Sequence, residues 1–429
     1  ETAYTDAAGV HYSQECFAAR IPELDHLVAF VKFTVEKRGS KESRVALKLK
    51  SGKNPEGLFK ATGTWKANGN ELAHELDLTD ATAREVYAVW TPKSTLPSGM
   101  AIDAAVYGNA RRACTEYWNA ALARGNLFDV PEPLVMDVQR NLLIQNLIMR
   151  WKYSLGAVVY HDSYFQPESN DTMSVLGMYG FTTEYGDAVR NLANLSKGEQ
   201  YYSNWERGEK LSHAAHYYFL TRDKALLEEL TPRYAEFCQQ LKNQIAADPH
   251  GILRKQRHCG DIPTEAYCTF HQAVCWRGMR DMAEVWSTIG RNELASEYRT
   301  VASNFRQSLL NVVQQSQKTL DDGTLFVPSM LLDEKAVYDP ITETRIGSYW
   351  NLCMPYAFAS GLWNPAGPDM RNILDFMHNH GAVLLGLIRF NYYPVPIGTW
   401  RTKGLPGYYT TGYDNVYVPS YLRMLADTD

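Results

Sequence analysis

PHGILRKQRHCGDIPTEAYCTFHQAVCWRG, running from Pro249 to Gly278, decides how the chain reads. Its first half is a polar loop that carries Asp261 and Glu265, preceded by Arg257 and His258. Its second half is rich in Tyr, His, Cys and Trp and almost free of charge, the composition of a helix buried on most sides. Carboxylates, Arg and His at the entrance to a buried helix are the ingredients of acid–base chemistry.

The segments around it alternate in character. Met173 to Phe181 and Gly347 to Ala359 repeat the small, aromatic, uncharged pattern of Glu265 to Trp276. Lys224 to Gln244 and Asn292 to Gln315 are charged and amphipathic, as helices facing water are. Adding Leu134 to Tyr153, Glu184 to Leu195, Arg207 to Leu220, Met370 to His380 and Tyr413 to Ala426 gives about five helix pairs in which outer and inner helices take turns. Upstream the period is two. Val31-Lys32-Phe33-Thr34-Val35-Glu36 and Val45-Ala46-Leu47-Lys48-Leu49-Lys50 alternate apolar and polar side chains, and Leu72 to Leu78, Val86 to Trp90 and Ala101 to Tyr107 continue the series. The expected fold class is mostly α: an (α/α)6-type helical toroid at 134–429, preceded by an antiparallel β-sandwich at 1–109 and a linker at 110–133. The sandwich is short, so part of it is expected to precede Glu1.

Bulk properties narrow the function classes. With 429 residues, 45% of them hydrophobic, the chain can bury a large core. A formal net charge of -5 disfavours a nucleic-acid partner, which needs a basic face. No apolar run approaches the ~20 residues needed to cross a bilayer, so no membrane partner is expected. Seven cysteines without a CxxC spacing give no zinc signature, and no metal or cofactor is expected. Their odd number leans towards a reducing, cytoplasmic compartment. The excess lies in 27 Tyr and 10 Trp, many of them beside Gly, Pro or Asn; flat rings of this kind suit the C–H faces of sugars, making a carbohydrate the expected partner.

A family resemblance rests on specific residues. Asn204-Trp205-Glu206-Arg207-Gly208-Glu209, before a helix ending in Tyr217-Tyr218-Phe219-Leu220-Thr221-Arg222-Asp223, looks like the recurring loop, inner helix and "T-x-D" turn of the six-hairpin glycosidases. Gly347-Ser348-Tyr349-Trp350-Asn351-Leu352 looks like a later inner-helix start. Together with the order sandwich, linker, helix hairpins, the chain resembles that superfamily of glucoamylase-, trehalase- and rhamnosidase-like enzymes and disaccharide phosphorylases, over roughly residues 110–429. Six hairpins are expected of it, against the five or so counted here.

The resemblance implies a glycoside hydrolase that cleaves an oligo- or polysaccharide by two-carboxylate catalysis, with inversion. The general acid of such enzymes commonly lies before the third inner helix, which by this count is the loop holding Asp261. Gly260 lets the backbone turn sharply there, favouring Asp261 over Glu265, which falls in the first helical turn with Thr264 as N-cap. The loop Tyr160 to Asp171 supplies Glu168 as the best candidate base, with Asp171 next to it. Expected sugar contacts are Asp171, Trp205, Glu206, Arg257, His258, Tyr349, Trp350 and Trp400. The competing readings are a disaccharide phosphorylase with Arg257 and His258 on the phosphate, a polysaccharide lyase, and a non-catalytic carbohydrate-binding subunit.

Overall fold

The computed structural model describes residues 1–39, 41, 44–52, 57–91, 93–149, 166–196, 198, 201–335, 344–384, 386–391, 411–413 and 417–428. These fall into two units, Glu1–Arg124 and Gly125–Asp429.

The first unit contains β1 (Thr2–Thr5), β2 (Val10–Arg20), β3 (Leu27–Lys37), β4 (Arg44–Lys50), β5 (Phe59–Ala61), β6 (Lys66–Asn68), β7 (Glu71–Asp77), β8 (Ala83–Trp90) and the helix α1 (Ala104–Leu122). Two antiparallel sheets form, ordered β1-β2-β3-β8-β5 and β4-β7-β6. The alternation in β3 explains how they are buried. Phe33 and Val35 point into a cluster with Val86 and Ala88 of β8 and with Leu47 and Leu76 of the smaller sheet. Val28 and Phe30, on the opposite face, pack with Val89, Ile102 and Tyr107. The five-stranded sheet is therefore covered on both faces, by the second sheet and by α1.

That helix corrects two expectations, because 101–107 is not a strand and 110–133 is not all linker. Asp103 caps it by accepting from the Val106 amide at 2.8 Å, and an Ala-rich sequence of high helix propensity follows. The short stretch Ala101 to Tyr107 carried too weak a period to outweigh that cap.

The second unit runs α2 (Pro133–Met149), α3 (Gln166–Met178), α4 (Thr182–Leu192), α5 (Ser203–Thr221), α6 (Lys224–Ala247), the hairpin β9 (Gln256–Arg257) and β10 (Glu265–Cys268), then α7 (Thr269–Thr288) and α8 (Asn292–Ser316). After the short strands β11 (Lys318–Thr319), β12 (Leu325–Phe326) and β13 (Met330–Leu331) come α9 (Arg345–Phe358), α10 (Pro368–Asn379), β14 (Val383–Leu384), β15 (Leu387–Asn391), β16 (Thr411–Tyr413) and α11 (Val418–Thr428). Helix α3 packs on α5, α5 on α7, α7 on α9 and α9 on α11, so alternate helices are neighbours. Helices α5 and α7 are buried over most of their circumference. By contrast α6 and α8 bury one stripe each, Leu227, Leu230, Tyr234 and Leu241 in the first and Tyr298, Ala302, Phe305 and Leu309 in the second.

The closest helix contact depends on two glycines. A Cβ on Gly208 of α5 would stand 2.7 Å from the Cys275 amide nitrogen, and one on Gly278 of α7 would stand 2.8 Å from the Gly208 carbonyl oxygen. No side chain fits at either crossing point, so α5 and α7 meet backbone to backbone. The turn leaving α5 is equally specific. Arg222 takes φ 60, Asp223 accepts the Tyr217 hydroxyl at 2.8 Å, and its other oxygen caps α6 through the Leu226 amide at 3.1 Å.

Candidate active site

The N-terminal ends of α5, α7 and α9 are tied together at one end of the second unit. Gln256 of β9 accepts the Asn204 amide at 2.9 Å and donates to Ser203 Oγ at 2.8 Å, anchoring the hairpin to the start of α5. Strand β10 pairs with β9 on one edge and with β13, which precedes α9, on the other. The expected helix start at Glu265 is displaced by this pairing: Glu265 to Cys268 are strand, and α7 begins at Thr269. Beyond the hairpin, the Tyr349 hydroxyl of α9 donates to the Asp261 carboxylate. Asp261 is exposed, while the Tyr349 ring is buried, and burial together with that carboxylate raises the phenol's pKa.

Deeper between the helices lies a second group of carboxyls. Asp171 of α3 accepts the Tyr356 hydroxyl of α9 at 2.5 Å. Glu209 of α5 accepts the Trp205 indole N–H at 3.2 Å. His213, one turn after Glu209, brings Nε2 to 3.3 Å from the Glu209 carboxylate and 3.9 Å from that of Asp171. The Trp205 ring is packed between Phe270 and His271 of α7 and Tyr356 of α9, with centroids 4.9, 5.6 and 5.8 Å away. Four helices thus converge on one polar nest. Tyr349 and Tyr356 are seven residues apart, which is close to two turns, so they project from the same side of α9 about 10 Å apart along its axis. One face of one helix holds Asp261 near the surface and Asp171 two turns below it.

Electrostatics set the nest apart. Among the described residues, Asp171 and Glu209 are the carboxyls whose pKa is pushed up, each to about 7. Burial is the larger cause for both, and for Asp171 the neighbouring Glu209 charge adds to it; Arg277 works in the opposite direction on each. His213 is pushed down to about 4 by burial, so its ring is neutral near neutral pH. The nest therefore retains a proton where an ordinary carboxyl pair would have lost both. The side chains of Asp171 and Glu209 are 16% and 4% exposed, which makes Asp171 the more open of the two.

The residues singled out from sequence divide among three environments. Asp261 and Tyr349 meet at the entrance; Asp171 and Trp205 meet in the nest; the others are committed elsewhere. Glu265 is exposed on β10. Glu206 is buried, accepting the Ser196 hydroxyl at 2.6 Å, with the Lys210 ammonium nearby. Arg257 donates to the Cys259 carbonyl at 2.8 Å and to that of Gly260, which shapes the loop presenting Asp261. His258 is buried against Ser329 at 3.2 Å and Trp350 donates to the Val327 carbonyl at 2.7 Å, both as core residues. Trp400 lies outside the described residues, as does the side chain of Glu168, whose backbone belongs to α3.

No protein-family model matches the sequence, and no curated protein matches it. Solved structures do resemble it. A bacterial glucoamylase complexed with acarbose superimposes with a TM-score of 0.51 at 12% identity, over 88% of this chain and 67% of the glucoamylase. A rhamnosidase from Klebsiella oxytoca with rhamnose bound gives a TM-score of 0.45 at 8% identity, over 89% and 73% of the two chains. The fold is glycosidase-like. At such identity the likeness extends to the fold alone.

Glu209, His213, Tyr185 and Tyr356 were missed in the sequence. Glu209-x-x-x-His213 is a carboxylate and an imidazole on one helix face, four residues apart, and that spacing was the available signal. Tyr356 had none beyond its seven-residue distance from Tyr349.

Proposed function

We propose that the second unit is a glycoside hydrolase with an (α/α)6-type helical toroid, in which Asp171 is the proton donor and Asp261 the second carboxyl of the pair. The single observation that supports it is the carboxyl pair Asp171 and Glu209, both raised by burial and Asp171 also by the Glu209 charge, beneath an entrance that carries another, exposed carboxyl group. A leaving-group oxygen needs an acid still protonated near neutral pH, and the nest meets that need. This reverses the role expected for Asp261. Glu209 acts on Asp171 from behind, by repulsion. Two turns of α9, about 10 Å, separate the two tyrosines that hold Asp171 and Asp261, and inversion calls for ~6.5–9.5 Å between the carboxyl groups themselves.

The phosphorylase reading loses its support, because Arg257 is engaged with loop carbonyls and His258 is enclosed in the core. The test is a panel of aryl glycosides and oligosaccharides, with the anomer of the first product followed by NMR. Inverted product, and loss of turnover in both Asp171→Asn and Asp261→Asn, are expected. Retained configuration, or near wild-type turnover in either variant, would overturn the assignment.

A further inference from the structure

The nest has a rear side. Tyr185 of α4 places its hydroxyl 3.1 Å from His213 Nδ1 and 3.0 Å from His216 Nδ1, and 3.1 Å from the His213 carbonyl. Tyr185 and Glu209 are almost fully enclosed, whereas His216 is partly exposed. Hydrogen bonding runs from His213 Nδ1 through Tyr185 Oη to His216 Nδ1, and His213 Nε2 at the other side of the same ring lies 3.3 Å from the Glu209 carboxylate. Packing alone does not require an imidazole, a phenol and a second imidazole in line, since each buried heteroatom must be desolvated and then repaired by a partner.

We propose that His213, Tyr185 and His216 form a proton relay that connects the enclosed Glu209 carboxyl to solvent at His216. The inference builds on the reading of Asp171 and Glu209 as a proton-holding pair. In one arrangement Glu209 is protonated and donates to His213 Nε2, His213 Nδ1–H donates to Tyr185, Tyr185 donates to His216 Nδ1, and His216 carries its proton on Nε2. Shifting each proton by one position leaves Glu209 as carboxylate facing His213 Nε2–H, with Tyr185 donating to His213 Nδ1 and His216 Nδ1–H donating to Tyr185. The His216 Nε2 proton passes to water. One proton leaves the carboxyl, one reaches solvent, and neither imidazole becomes a cation. That matters because both rings are held neutral, His216 being pushed down to about 3 by burial and by its neighbour His213.

The charged groups facing the relay support an outlet for protons rather than a store. Arg277 of α7 and Arg423 of α11 both oppose a positive charge on His213 and on His216, while Asp281 of α7 favours one on His216 and Asp171 of α3 favours one on His213. Cationic intermediates are disfavoured, and the neutral shift avoids them. In a hydrolase this path gives the pair a way to exchange protons with water while a sugar occupies the entrance.

Infrared spectroscopy of the full chain tests this without any substrate. Glu209→Gln and Asp171→Asn assign the carboxylic C=O bands, and transfer into D2O then times exchange at each carboxyl. Tyr185→Phe, which keeps the ring, and His216→Gln are expected to slow exchange at Glu209 by about tenfold or more, the equivalent of one lost hydrogen bond in the path. Exchange at the more open Asp171 stays at the wild-type rate and serves as the internal control. Wild-type exchange at Glu209 in both variants would overturn the relay, as would a wild-type protein with no protonated Glu209 band near neutral pH. If the relay variants behave as expected but no glycoside is cleaved, the relay stands and the hydrolase reading falls.

Discussion

Glu209→Gln offers the most direct measure of how strained the nest is. Glutamine keeps the shape and can still accept the Trp205 N–H, but it cannot ionise. In the folded protein the Glu209 pKa is raised from the ordinary 4.5 to about 7, mainly by burial. A raised carboxyl pKa means that the folded state binds the proton more tightly than the unfolded chain does. The cost of ionisation is therefore absent well below 4.5, grows as pH rises through the window from about 4.5 to 7, and is constant above it. A rise of this size corresponds to roughly 3 kcal/mol. The variant should consequently be stabilised by roughly 3 kcal/mol more at about pH 8 than at about pH 4. Comparing the two proteins at each pH cancels the acid-side losses they share. Urea unfolding followed by tryptophan fluorescence reads the difference, since Trp205 lies against the mutated group. Equal effects at both pH values would show that Glu209 is not ionised at a cost in the folded state.

Further outcomes follow from other contacts. Tyr356→Phe removes a hydroxyl that stabilises ionised Asp171, so the Asp171 titration should move up by about one pH unit in infrared or pH–rate measurements. Gly208→Ala should destabilise the second unit by roughly 3 kcal/mol, because the methyl meets the α7 backbone. Gly108→Ala in α1, where a Cβ meets nothing within 4 Å, should instead stabilise its unit by about 0.5–1 kcal/mol; melting curves of the two variants should move in opposite directions. His213, His216, His258 and His271 are all pushed down by burial, so each contributes stability that falls as pH drops below about 6.5, and denaturant midpoints should decline steadily on acidification.

The difference between widely buried and one-sided helices was legible because burial leaves its mark on composition. Lys224 to Gln244 shows an amphipathic stripe, and Thr269 to Gly278 has almost no charge to expose. The loop that presents Asp261 was legible as an exposed polar turn before a buried helix, and that is where Asp261 lies. The nest was not. Asp171, Glu209 and Tyr356 come from helices separated by up to 185 positions, and only the packing of α3, α5 and α9 brings them together. Glu209 stands in a polar string, Glu206-Arg207-Gly208-Glu209-Lys210, whose composition carries no sign of burial. Gly208 draws α5 against α7 and the whole string is out of water. The strand at Glu265 to Cys268 escaped detection for another reason: two-residue pairings with β9 and β13 are set by tertiary position and leave no period to read.

The spacing on α9 also limits how the chemistry can be altered. If Asp171 and Asp261 are both held by tyrosines on one helix face, the distance between them is not continuously adjustable. Loops could lengthen or shorten without moving it, and a single inserted residue would swing one tyrosine about 100° away from its carboxylate rather than widen the gap. Only removal of a whole turn, about 5.4 Å, would keep both tyrosines in line. The relation between the two carboxyls would then change by helical turns, as a step and not as a gradient.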